Sequence, residues 1–229
     1  MLTPLEIEAL SLSLRVAAVA SLACLLPAVG VAWLLARTRM PGKTVLNVLV
    51  HAPLVLPPVV IGYLLLLLFG VKGPIGHWLY EIFGWRLVFT SGGAILAAAV
   101  MAFPLMVRAI RLSLDAVDQG LVFAARSLGA SRADAFLTVT IPLMLPGILA
   151  GLMMAFAASL GEFGATITFA SNVEGQTRTL PLAIYTATQV PGGEAAALRL
   201  VLIAVGLALL ALVLSEVAER WARRTVYGT

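Results

Sequence analysis

The side chains that most often perform chemistry are few in this sequence, and they form no catalytic pattern. His51 and His77 are its two histidines, and neither belongs to a metal-binding motif. Cys24 is its single cysteine, so no disulfide can form within the chain. The sequence has no His-Glu-x-x-His motif, no pair of carboxylates within an apolar run, and no Ser or Cys nucleophile near a His. We therefore expect no catalytic residue, no metal and no cofactor.

One segment partly matches a nucleotide-binding motif. Gly42-Lys43-Thr44 has the sequence that ends a phosphate-binding loop. That motif also needs a glycine five residues before Gly42, where this chain has Arg37, and a preceding strand, which the pattern does not predict. The sequence therefore predicts no ATP site of its own.

Glu162 stands at the end of a long apolar run, with Gly161 and Gly164 beside it. One interpretation is a gate residue, because two glycines would let the backbone bend at this point. The other is a carboxylate at a helix end, paired with a cation such as Arg178. Both interpretations remain open at the level of the sequence.

The segment 121–134 carries two helix-boundary signals. Gly129 can take the left-handed conformation that ends one helix, and Ser131 with Asp134 can cap the next. The pattern predicts two short helices joined by a sharp turn. The first presents apolar or small side chains, namely Leu121, Phe123, Ala124 and Leu128. Such a face indicates either a docked partner protein or a hairpin packed against the chain's own helices.

The segments described above lie within or beside long apolar runs that are bounded by charged residues. Hydrophobic residues make up 61% of the 229 residues and charged residues 11%, about half the charge of a soluble domain. Five runs are long enough to cross a bilayer once the last is extended back to Ala195. They are Val16–Ala36, Thr44–Val71, Leu87–Val107, Ala135–Gly161 and Leu200–Ser215. We expect an all-α integral membrane protein with about five transmembrane helices, whose acidic N-terminal segment is retained.

Gly147 and Gly151 allow a close helix contact, within the subunit or between subunits.

Basic residues are distributed unevenly between the two sets of loops. One set contains ten: Arg37, Arg39, Lys43, Arg108, Arg111, Arg126, Arg132, Arg220, Arg223 and Arg224. The other set contains three: Lys72, Arg86 and Arg178. Because cytoplasmic loops carry the excess of Lys and Arg, the first set is predicted to be cytoplasmic. The N-terminus is then outside and the C-terminus is in the cytoplasm.

The segment 123–142 resembles the EAA loop of ABC importer permeases, which reads Glu-Ala-Ala, three residues, Gly, nine residues, Ile-x-Leu-Pro. The matching positions are Ala124, Ala125, Gly129, Val139, Ile141 and Pro142, whereas Phe123 stands where the family has Glu. In that family the loop docks into the ATPase subunit. The resemblance implies the type I importer fold and a coupling site formed by Phe123, Ala124, Ala125, Leu128, Gly129, Ser131, Asp134 and Pro142.

Two further stretches indicate which group of ABC importer permeases the chain resembles. The runs His51–Tyr63 and Ser159–Phe169, followed by Ser171-Asn172 and Thr177–Pro181, are similar to molybdate permeases. Sulfate and thiosulfate permeases share much of this pattern. The resemblance implies a permease that translocates an oxyanion across the cytoplasmic membrane, with molybdate favoured and tungstate or sulfate as alternatives. The implied path and gate residues are Pro57, Pro58, Glu162, Phe163, Gly164, Thr166, Thr168 and Ser171.

The resemblance also implies how the chain is organised and what it binds. We expect one permease domain over 10–218, with the coupling loop at 115–142. We expect a homodimer surrounded by membrane lipid, two copies of an ATP-binding subunit and an extracytoplasmic oxyanion-binding protein, with no nucleic acid. An ion-coupled secondary transporter would place acidic residues inside its spans, and these runs have none. A membrane enzyme would need the catalytic patterns that are missing.

The charge distribution predicts the accessibility of four positions. In a variant with Cys24→Ala, single cysteines in place of Lys72 and Arg178 should react with a membrane-impermeant thiol reagent added to intact cells. Cysteines in place of Gly129 and Arg223 should react only after the membrane is opened. Labelling of the Gly129→Cys variant from outside would contradict the predicted orientation.

Overall fold

The computed structural model describes residues 3–38 and 41–227, and every regular element in those ranges is a helix. Arg39, which the charge analysis assigned to the cytoplasmic set, lies outside the described residues. The helices are α1 (Pro4–Arg37), α2 (Lys43–Val55), α3 (Pro58–Phe69), α4 (Pro74–Phe83), α5 (Ser91–Ala116), α6 (Gln119–Ser127), α7 (Arg132–Ala135), a π-helix (Phe136–Thr140), α8 (Ile141–Leu143), α9 (Leu145–Leu160), α10 (Gly164–Phe169), α11 (Leu180–Gln189) and α12 (Glu194–Tyr227).

Three of these helices are long and apolar enough to cross a membrane without a break: α1, α5 and the part of α12 over Glu194–Ala218. The 26 residues of α5 span about 39 Å at the usual helical rise. The start of α12 agrees with the predicted extension of the last apolar run to Ala195. The Arg199 guanidinium of this extension lies 2.9 Å from the Glu6 carboxylate of α1.

The second and fourth predicted spans are bent pairs of helices. The axes of α2 and α3 differ by 119°, and the axes of Arg132–Leu143 and α9 differ by 65°. Pro57 and Pro58 cause the first break, because neither residue has a backbone N–H to donate to the helix. The structure thus has three straight spans, or five if each bent pair crosses the membrane once. The prediction of about five spans is confirmed on that count.

The core of the bundle packs α1, α5 and α9 against one another through small side chains. Ala28, Ala102 and Ala155 are buried in one cluster with Met106 and Ile110. A Cβ at Gly147 would lie 2.2 Å from the Ser113 Cβ of α5. The two glycines spaced four apart therefore serve contact within the subunit, because Gly151 also faces α5.

Hydrogen bonds between distant residues define the two ends of the bundle. At one end, Arg37 Nη2 donates to the Leu114 carbonyl at 2.7 Å, which joins the last turns of α1 and α5. At the other end, the Leu180 N–H donates to Ser13 Oγ at 2.6 Å. The coupling loop follows α5 and thus lies at the end with Arg37. Which end faces the cytoplasm stays a prediction.

The segment 161–194, which contains Arg178 of the predicted outer set, is folded into the bundle. It contains α10, which packs against α3 and α5, and α11, which packs against α1 and α12. The backbone N–H of Phe89 donates to the Phe169 carbonyl at 3.4 Å, so the end of α10 lies beside the start of α5. Short helices thus cover the end of the bundle opposite the coupling loop.

Candidate functional site

The coupling loop has the predicted form of two helices and a sharp turn. Gly129 has a φ of 101°, in the region that side chains disfavour. The Gly129 N–H donates to the Arg126 carbonyl and the Ala130 N–H donates to the Ala125 carbonyl, each at 3.1 Å. This pair of bonds is the Schellman motif, which satisfies the last carbonyl groups of α6.

The next helix begins with the predicted cap. The Asp134 N–H donates to Ser131 Oγ at 3.1 Å, and the Thr138 hydroxyl donates to the Asp134 carbonyl at 2.8 Å. The chain then passes through the π-helix into α8, where Pro142 is exposed. A π-helix is uncommon and often marks a functional position in a helix.

Several apolar side chains of α6 and the turn that follows it are exposed. The exposed fractions are 66% for Phe123 and 90% for Leu128, and Leu121 is also exposed. Val122, in contrast, packs against the core cluster of α1 and α5. One side of α6 therefore packs against the core, while another side exposes apolar groups. This arrangement favours a docking surface over a hairpin packed entirely against its own chain.

Glu162 lies in the break between α9 and α10, with its side chain buried. Its Oε1 accepts a hydrogen bond from the Ala165 N–H at 2.7 Å, so the carboxylate satisfies a donor at the start of α10. Arg178 instead contacts Glu174 at 2.9 Å and Asn172 at 3.0 Å. The proposed pairing of Glu162 with Arg178 was therefore wrong, whereas a role as a gate residue stays a prediction.

The candidate path residues of two distant sequence segments meet at the crossing of α3 and α10. A Cβ at Gly164 would lie 2.7 Å from the Pro58 Cβ at the start of α3, just after Pro57. Phe163 adds a ring contact to Tyr185 of α11, with centroids 5.3 Å apart. The structure thus brings Pro57, Pro58, Glu162, Phe163 and Gly164 together.

Two of the predicted path hydroxyls belong to residues that are hydrogen-bonded or buried. Thr168 Oγ1 donates to the Gly164 carbonyl at 2.8 Å, and Thr166 is buried with 1% of its surface exposed. Ser171 has a φ of 67° just beyond α10, where its carbonyl accepts from the Thr177 hydroxyl at 3.2 Å. A hydroxyl-lined path through these residues stays a prediction.

Two residues that were not among the predicted site residues lie at or near this crossing in the chain: Gly62 in α3 and Ser159 in α9, three residues before Glu162. Gly62 touches α10, because a Cβ there would lie 2.7 Å from the Ala165 carbonyl oxygen and 2.7 Å from the Thr168 Cβ. Ser159 Oγ is buried near the end of α9 without a hydrogen-bond partner among the described residues. A glycine within a run of large aliphatic residues was the available signal for Gly62, and nothing in the sequence distinguished Ser159.

Comparison with known proteins agrees with this architecture. The sequence profile of binding-protein-dependent transport system inner membrane components matches residues 28–224. The molybdenum transport system permease protein ModB of Escherichia coli strain K12 is 55% identical over 222 residues, covering 97% of each chain. ModB of Haemophilus influenzae strain Rd is 55% identical over 212 residues, covering 93% of each.

The fold also matches a solved structure. A chain of the MetNI methionine ABC transporter in an inward-facing conformation superimposes with a TM-score of 0.75 at 18% identity, covering 97% of this chain and 99% of that one. The chain belongs to the family of binding-protein-dependent transport system inner membrane components. It is a transport subunit of the inner membrane with the fold of an ABC importer permease, as the EAA-like loop predicted.

The crossing of α3 and α10 predicts a steric effect at Gly62. Gly62→Ala should force the two helices apart, at a cost of about 1–3 kcal/mol. We expect a lower apparent Tm of the purified protein and slower transport. Gly30→Ala is the matched control, since no atom lies within 4 Å of a Cβ added there. An unchanged Tm and transport rate for Gly62→Ala would show that the crossing tolerates the methyl group.

Proposed function

We propose that this chain is the permease subunit of an ATP-driven ABC importer that carries molybdate across the cytoplasmic membrane. The observation that carries the proposal is 55% identity, from end to end, to a permease named for molybdenum transport. The stretches at His51–Tyr63 and Ser159–Phe169 that first indicated an oxyanion permease support the same substrate class.

The substrate's charge explains why such a permease needs partners. A tetrahedral dianion cannot enter hydrocarbon alone, because burying a charge in a low dielectric costs many kcal/mol. The five apolar runs contain no Lys or Arg that could trap an anion. Selection of the anion therefore falls to an extracytoplasmic oxyanion-binding protein, and the permease provides a path with alternating access.

The energy source is a separate ATP-binding subunit that docks on the coupling loop. The exposed side chains of Leu121, Phe123 and Leu128 supply an apolar surface, and Phe123 extends it where the family pattern has Glu. Gly129 and Ser131 shape the turn between α6, which carries this surface, and α7. The coupling residues thus comprise the exposed groups and the turn that orients them.

Helix α9 connects the coupling loop to the crossing of α3 and α10. Its 16 residues span about 24 Å, and it ends two residues before Glu162. A displacement of the loop would move this helix as a unit, and the Glu162 carboxylate would transmit the movement to α10 through its bond to Ala165. We infer that the α3–α10 crossing is the gate, with Pro58 against Gly164 at its centre.

The assembly requires two copies of the permease. Within one chain, only 11% of the most apolar part of α12 is buried, and about five spans enclose a path poorly. We infer a homodimer with two ATP-binding subunits, in which each chain contributes a domain over 10–218 and a coupling loop at 115–142. Membrane lipid covers the remaining apolar surface.

Uptake by the reconstituted transporter tests the substrate. We expect ATP-dependent accumulation of labelled molybdate in vesicles that contain the permease, the ATP-binding subunit and the binding protein. Unlabelled molybdate should compete fully, tungstate closely, and sulfate only at a large excess. Strong competition by sulfate would assign the chain to sulfate instead, and uptake without ATP would contradict the importer assignment.

The coupling role of the loop is tested at Gly129. Gly129→Val should strain the turn by about 1–3 kcal/mol, because a branched side chain resists a φ of 101°. We expect the ATP-binding subunit either to dissociate or to hydrolyse ATP without moving the anion. Insertion into the membrane should persist, since the spans lie elsewhere. The measurements are subunit stoichiometry and the ratio of anion transported to ATP hydrolysed.

Gly84→Val is the matched control for backbone strain. Gly84 ends α4 with a φ of 67°, and Gly129 likewise has a positive φ. Neither glycine has an atom within 4 Å of an added Cβ. It lies on the opposite predicted side of the membrane, so its variant should keep the transport ratio of the unmodified protein. Equal ratios for both variants and the unmodified protein would show that this loop is not the coupling element.

A further inference from the structure

A small basic cavity lies where the end of α1, the end of α5, α6 and the π-helix meet. Its volume is about 170 Å³. Three guanidinium groups line it, and each comes from a different element: Arg37 from the last turn of α1, Arg126 from α6 and Arg132 from the first residue of α7. The Gln119 side chain also lines the cavity.

The positive charge of this cavity is not balanced by acidic side chains. In the part of the chain that the structure describes, the ion pairs involve other cations, and no carboxylate residue lines the cavity. Arg37 is held in place by its 2.7 Å bond to the Leu114 carbonyl. Three like charges around one small volume repel one another, so an anion bound between them would be stabilised.

Thr140 also lines the cavity, and the other walls are apolar and lie where the first predicted span ends. Trp33 and Phe136 contribute rings, and the apolar run of α1 ends at Ala36, one residue before Arg37. Tryptophan is enriched at membrane interfaces, and basic pockets between helices at this level bind the head groups of anionic lipids. Arginine is well suited to phosphate because its N–H groups can donate two parallel hydrogen bonds.

We propose that this cavity binds the phosphate group of an anionic phospholipid of the surrounding leaflet. The phosphate lies among the three guanidinium groups, and the rings of Trp33 and Phe136 contact the glycerol and the start of the acyl chains. A free inorganic phosphate would match the guanidinium groups alone. The apolar walls favour the lipid over the free anion.

The cavity and two of the three exposed apolar residues proposed to contact the ATP-binding subunit lie on different sides of α6, whereas Phe123, four residues after Gln119, lies beside the cavity face. Gln119, Val122 and Arg126 are spaced three and four residues apart, so they share one face of the helix, and all three line the cavity. Leu121 and Leu128 are seven residues apart and form a separate exposed stripe. A bound lipid would therefore support α6 and the π-helix from the membrane side while the other stripe stays free for docking.

Lipid retention by the complete transporter tests the proposal. The permease with its ATP-binding subunit is purified in detergent, supplied with equal amounts of phosphatidylglycerol and phosphatidylcholine, and analysed by native mass spectrometry. We expect the unmodified complex to retain phosphatidylglycerol preferentially. The double variant Arg126→Gln/Arg132→Gln should retain at least roughly tenfold less phosphatidylglycerol than the unmodified complex, because it loses two of the three charges.

Arg108→Gln is the matched control, because Arg108 is an exposed cation of α5 that lines a different cavity. It should retain phosphatidylglycerol as the unmodified complex does. Equal retention by the double variant would overturn the proposal. Displacement of the lipid by millimolar inorganic phosphate would overturn the lipid assignment in favour of a soluble anion. Loss of the ATP-binding subunit from the double variant with unchanged lipid retention would assign these arginines to an acidic surface of that subunit.

Discussion

The structure depends on one constraint, which is that backbone N–H and C=O groups cannot remain unpaired in the hydrocarbon of a bilayer. Helices satisfy this constraint within each span, and the breaks between them require substitutes. The Glu162 carboxylate accepts from Ala165, and the Ser13 hydroxyl accepts from Leu180. Prolines such as Pro58, Pro74 and Pro181 stand in the first turns of other helices, where their missing N–H leaves one fewer donor to satisfy.

The same constraint explains which parts of the fold could be predicted from the sequence. Charged residues are rare within the hydrocarbon, so their positions bounded the apolar runs, and the start of α12 near Ala195 followed from the roughly 20 residues that a span needs. The turn at Gly129 and the cap at Ser131 were also predictable, because both depend on interactions among residues close in sequence. Such local rules identified the form of the coupling loop before any contact between helices was known.

Features that depend on contacts between distant residues were not predictable. Pro57-Pro58 indicated a break, but neither its angle of 119° nor the close approach of Gly62 to α10 could be predicted from the sequence. The sequence suggested Arg178 as a partner of Glu162, yet Arg178 binds Glu174, a residue within its own turn. The short helices α4, α10 and α11 hold too few residues for a clear periodic pattern. The three arginines of the basic cavity come together only because α1, α6 and α7 meet in the fold.

The bond between Glu6 and Arg199 has a consequence for the order in which the protein assembles. The two residues are 193 positions apart, and they join the first helix of the chain to the last. A ribosome makes the chain from its N-terminus, so Glu6 leaves the ribosome long before Arg199 exists. The first helix therefore precedes its Arg199 partner, and the contact between the first and last helices forms only when the last helix has been made. Insertion of the early spans and completion of the fold are thus separate events in time.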